Sequence, residues 1–147
     1  MAIVKNLLDM KGREVWSVTP DTPLRNTLKL MAEKNIGAVL VLEEGKIVGI
    51  FSERDYARYA ASRESLLLDE PVKNFMTRSV YYVSPQQTVE ECMALMTAKH
   101  IRHLPVLEGD QLVGVISIGD VVKQLLEEKE ITIQSLENYI RGRTHTI

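Results

Sequence analysis

The chain has 147 residues, 45% of them hydrophobic, and a formal net charge of −2 from 18 basic and 20 acidic side chains. That composition fits one ordinary domain, or two small units sharing a core, and argues against disorder except at the ends. It gives no electrostatic reason to expect a nucleic-acid partner; no apolar run approaches the roughly 20 residues of a membrane helix; and a lone Cys92 excludes an internal disulfide framework and fits a reducing cytoplasm.

Residues 1–14, MAIVKNLLDMKGRE, carry an acid early and no sustained apolar core, so no signal peptide is expected. They predict a short helix lying over the rest of the chain. A short strand follows at Val15, then a helix over TPLRNTLKLMAEK. Thr22 is the expected cap there, with Pro23 in the first turn, where its missing N–H costs nothing. Leu24, Leu28 and Met31 share one face of that helix. AVLVLEEGKIVGIFS reads as a hairpin, two β-branched runs around an acidic turn containing glycine. A second helix begins near Asp55. Residues 61–79 form a polar connector around Pro71, with Phe75 and Met76 as its anchors.

From Val80 the same pattern returns at an offset of 65 residues, without a gap. Val18 meets Val83, Pro20 meets Pro85, Met31 meets Met96, Gly49 meets Gly114, Ser52 meets Ser117 and Asp55 meets Asp120. The expected fold is therefore α/β (α+β): two pseudo-symmetric repeats, residues 15–60 and 80–125, each a small sheet packed by two helices, the sheets packed together. Residues 126–147 extend the final helix into an arm. Leu126, Ile133, Leu136 and Ile140 form an apolar stripe on it, broken at Ile131, Thr132 and Ile133, and RTHTI forms a loose tail.

In both repeats a strand ends in Ser-x-x-Asp as a helix begins. The N–H groups of a helix start suit a phosphate. Ser52 or Ser117 adds a hydroxyl donor, while the acceptor-only carboxylate of Asp55 or Asp120 suits the two hydroxyls of a ribose. Serine and aspartate in these positions are also ordinary helix caps, and the residues alone leave the two readings level. Catalysis lacks a team: no nucleophile–base set, P-loop or GxGxxG appears, so no catalytic residue is assigned. His100 and His103 lack further ligands at metal-site spacing, and Cys92 sits among helix residues suited to packing, so no metal site is expected.

The tandem repeat, the VTP and VSP openings, the IGAVLV and IRHLPV stretches and the GIFSERD and GVISIGD endings together resemble a cystathionine-beta-synthase (CBS) domain pair, or Bateman module, standing alone. Similarity runs from about Val15 to Leu125. The resemblance implies two clefts that take adenosine compounds, with Asp55 and Asp120 on ribose and Ser52 and Ser117 near phosphate. It also implies Thr19 beside the Ser117 site and Ser84 beside the Ser52 site. Arg102 and His103 occupy positions where relatives carry phosphate-binding residues, although His103 fits half-buried packing equally well. Gly37 and Ala38 are their uncharged equivalents, with Arg54 as partial compensation. The implied function is a regulatory sensor of AMP, ADP, ATP or NAD, requiring no cofactor, acting as a homodimer and signalling to a regulated partner protein. The alternative is a structural or adaptor dimer with vestigial clefts.

Overall fold

In this computed structural model, which describes residues 1–129 and 133–140, the chain divides into two compact units. One is Val15–Tyr81; the other joins Met1–Glu14 to the chain from Tyr82 onward.

In the Val15–Tyr81 unit, β1 (Ser17–Val18) runs parallel to β2 (Ala38–Glu43), which pairs antiparallel with β3 (Lys46–Ser52). The hairpin turns through Glu44 and Gly45, both at positive φ; two such residues in a two-residue loop match the strand twist, and glycine adopts the conformation without strain. Val39, Val41 and Phe51 are buried from the sheet, against Leu24 and Met31 of α2 (Leu24–Lys34) and Tyr59 of α3 (Glu53–Ser62). Leu28 is partly buried on the same face of α2, as its spacing predicts.

Thr22 does not cap α2. Pro23 is the N-cap, and the Thr22 hydroxyl is bound instead to the Thr19 N–H at 3.1 Å and the Thr19 hydroxyl at 3.0 Å. The connector supplies the missing acceptors: Leu24 and Arg25 donate their N–H groups to the carbonyls of Glu70 and Leu68, both at 2.8 Å. Val72, in a 3₁₀ turn over Val72–Asn74, is fully buried, and the Phe75 ring lies 4.1 Å from that of Tyr59. Thr77 then exchanges backbone hydrogen bonds with Ile50. The connector is thus part of this core.

The second unit repeats the plan with α4 (Val89–Lys99), β4 (His103–Glu108), β5 (Gln111–Ser117) and α5 (Ile118–Glu128). Its expected opening strand is reduced to one bridge, Val83 to Val106. Here Thr88 does cap α4, in a reciprocal pair with Glu91 at 3.0 and 3.2 Å.

Helix α1 (Val4–Lys11) forms as its Val4, Leu7 and Leu8 stripe requires, and it belongs to the second unit. Those three side chains are buried with Val83, Cys92, Leu104 and Ile116 inside the second unit. Val89 donates its N–H to Ala2 O, and Val4 and Lys5 donate theirs to Gln87 O and Pro85 O. Each unit thus recruits the segment that precedes the other repeat. Gly49 and Gly114 show how closely: a Cβ on Gly49 would lie 2.5 Å from Met76 Sδ, and one on Gly114 would lie 2.6 Å from Leu8 Cδ2.

The final helix is not one continuous arm. Helix α5 stops at Glu128, and a separate α6 spans Ile133–Ile140. Leu126 is half-buried and Leu136 is 43% exposed. The expected break at Ile131–Thr132 and the RTHTI tail lie outside the described residues, as do the side chains of Ile133 and Ile140.

Candidate functional site

Each repeat delivers its Ser-x-x-Asp turn the same way. The last residue of a buried hairpin strand is an extended serine, φ −123° at Ser52 and −109° at Ser117, and it becomes the N-cap of the next helix. Asp55 N–H donates to Ser52 Oγ at 3.3 Å, and Ser52 N–H donates to Asp55 Oδ2 at 2.9 Å. In the second repeat the corresponding distances are 3.2 and 2.8 Å. These are capping boxes, so the cap reading holds; it also fixes each carboxylate at the mouth of a helix N-terminus.

Strand register gathers the neighbours. Ala38 pairs with Ser52 and His103 with Ser117. Gly37 O accepts from Glu53 N–H at 3.0 Å, and Arg102 O accepts from Ile118 N–H at 2.8 Å. Gly37, Ala38, Ser52 and Asp55 therefore form one cluster, and Arg102, His103, Ser117 and Asp120 form another. Arg54 and Arg102 are exposed, while His103 is half-buried. Thr19 belongs to the first-repeat unit, engaged with Thr22; Ser84 belongs to the other, its N–H bound to Gln87 Oε1 at 2.9 Å.

Three residues near the turns escape sequence reasoning. Lys11 Nζ lies 2.6 Å from Asp120 Oδ2 and 2.9 Å from Val115 O. Thr77 donates its hydroxyl to Asp55 Oδ1 at 2.9 Å. Both come from the segments preceding Val15 and Val80, whose residues do not match one another letter for letter. The third is Arg58, one turn beyond Asp55, in an open groove of about 410 Å³ along α3 that also includes Arg63. Arg63 is already committed: it stacks 4.8 Å over Tyr59 and pairs with Glu70 at 3.0 Å.

Burial pushes the Asp120 carboxyl up, but hydrogen bonds from Lys11 and Ser117 and the Lys11 charge outweigh it, leaving its pKa below the ordinary 3.8. A depressed carboxylate contributes stability above its unfolded pKa, and that contribution is lost as pH falls through the folded value. Wild type should therefore lose more stability than Lys11→Met between about pH 5 and about pH 3. Urea midpoints at the two pH values measure the difference; equal losses would mean that the ion pair is not made. Cys92 is fully buried, and burial, followed by the Glu91 charge, pushes its thiol up to about 11. It stays protonated and is no nucleophile. Among the described residues no group of His, Cys, Asp or Glu is placed to hold a metal, and no helix is long and apolar enough to cross a membrane.

Two hairpin-and-helix units with matched capping turns define a tandem pair of like modules. The CBS domain model matches residues 7–62 and 72–127, and the chain belongs to the CBS domain family as a tandem pair. Each matched span begins in a segment that packs in the other repeat's unit. A putative signal-transduction protein with CBS domains from Burkholderia ambifaria is 45% identical, with a TM-score of 0.84 over 90% of this chain and 99% of that one. A mitochondrial CBS domain-containing protein of Arabidopsis thaliana is 32% identical over 95% of this chain and 72% of its own length. A CBS domain protein from Pyrobaculum aerophilum, solved in complex with AMP, is 27% identical with a TM-score of 0.72, over 81% of this chain and 89% of that one. CBS domains are regulatory rather than catalytic units, and both matched spans of this chain are of that kind.

Proposed function

We propose that the chain is an adenine-nucleotide sensor: AMP, ADP, ATP or NAD binds at the Ser-x-x-Asp turns, and occupancy is passed to a regulated partner protein. The observation that carries this is the doubled turn, in which a helix N-terminus, a serine hydroxyl and an oriented carboxylate meet. The carboxylates accept ribose hydroxyls; Ser52, Ser117, Arg54 and Arg102 serve phosphate; Gly37, Ala38 and His103 line the turns, with Thr19 and Ser84 completing the set. The AMP complex of the Pyrobaculum relative supports the choice of ligand. Binding regulates only if the ligand prefers one arrangement of the protein. Mass spectrometry of small molecules released on denaturing the natively purified chain tests the proposal, and an adenosine phosphate or NAD is the expected species.

One observation favours a structural or adaptor dimer instead: capping alone accounts for Ser52, Asp55, Ser117 and Asp120. No released nucleotide, together with no binding of AMP at millimolar concentration, would decide for that reading.

In either case we place the protein in the cytoplasm, on its single buried thiol, and propose a homodimer. Exposed Leu136 and half-buried Leu126 give the C-terminal segment apolar surface suited to a two-fold partner. Deleting residues from Glu127 onward should weaken the dimer in sedimentation equilibrium while the repeats keep cooperative unfolding. An unaltered truncated dimer would remove the segment from the interface, and a full-length monomer across micromolar concentrations would remove the dimer.

A further inference from the structure

The two turns differ in what reaches their aspartates, and we propose that Lys11 makes the Asp120 site selective for an anionic ligand group. This rests on the nucleotide-sensor proposal and adds a residue to one of its two sites. An ammonium carries three N–H donors. Lys11 uses one on Asp120 Oδ2 at 2.6 Å and one on Val115 O at 2.9 Å. The third remains for an outside acceptor, and the side chain is 35% exposed, so a ligand oxygen can reach it. At the other turn the corresponding contact is the Thr77 hydroxyl, whose single hydrogen is already given to Asp55 Oδ1.

Charge sharpens the difference. A carboxylate that binds sugar hydroxyls also repels a phosphate on the same sugar. Lys11 neutralises Asp120 at the point of contact, whereas Thr77 brings no charge to Asp55. Lys11 is well placed to hold this position. It is the last residue of α1, whose Leu7 and Leu8 are anchored in the core of the same unit. Lys11 therefore gives the Asp120 site a preference for a nucleotide over its nucleoside that Thr77 does not give the Asp55 site.

The test is calorimetric titration of AMP and of adenosine in an Asp55→Ala background, so that the Asp120 site alone reports. Lys11→Met should weaken AMP about 10-fold while adenosine changes less than about 2-fold, and Lys11→Arg should restore most of the preference. Equal losses for both ligands would show that Lys11 acts through folding alone, overturning the proposal. Should AMP bind, and Asp120→Ala weaken it, an unchanged AMP-to-adenosine ratio in Lys11→Met would overturn the role of Lys11 and leave the sensor standing. Absence of AMP binding to the otherwise wild-type chain would overturn both. A ligand-free control uses the Asp120 carboxyl resonance: its pKa should rise in Lys11→Met, and no rise would itself contradict the contact.

Discussion

Leu8→Ala should destabilise the chain by about 2–5 kcal/mol, the cost of emptying a buried leucine site that cannot fully collapse. Leu8 is 1% exposed, and its side chain fills the space left by the missing Cβ of Gly114. The elements packed against α1, β5 and α5, are held by their own hairpin and capping box, so they cannot close the gap cheaply. Met10 on the same helix is 66% exposed, and Met10→Ala should fall within about 0.5 kcal/mol of wild type. Urea unfolding of the two variants separates a core helix from a peripheral one. Similar small losses for both would mean that α1 is not part of the second unit's core.

Asp120→Ala should weaken AMP binding by about 1–3 kcal/mol, roughly 5- to 150-fold, because it removes a charged acceptor from the sugar hydroxyls. The same substitution breaks the capping box with Ser117, at a stability cost of about 0.5–2 kcal/mol. Binding is therefore measured well below the melting temperature, where each variant is folded. Asp55→Ala should produce a comparable loss at the other turn. Because the turns lie in separate units, calorimetry should show one class of site lost in each variant. Unchanged affinity in both would leave the carboxylates as caps and nothing more.

The repeat was legible because its apolar spacing is set by short-range rules. Two β-branched runs around a turn containing Gly45 form the β2–β3 hairpin, and Leu24, Leu28 and Met31 recur with the helical turn. The Ser-x-x-Asp turns were legible for a similar reason, since cap and N3 residues are only three apart. Contacts made by distant chain were not. Thr22 has the right chemistry for a cap, yet the connector's carbonyls bind the first amides of α2 and leave Pro23 in the cap position. Nothing local in MAIVKNLLDMKGRE says that Leu8 will meet Gly114, 106 residues away, or that Lys11 will reach Asp120, 109 away. The second repeat's opening strand failed for a finer reason. Tyr81 and Tyr82 are exposed and only Val83 joins β4, so the ladder stops at one bridge.

The most direct measurement is calorimetric titration of AMP into the wild-type chain and into an Asp55→Ala/Asp120→Ala double variant, with circular dichroism showing that both are folded. Saturable binding to wild type and its loss in the double variant are the expected results. Absence of binding to a folded wild-type chain, or equal binding to both proteins, would contradict a nucleotide sensor built on these two turns.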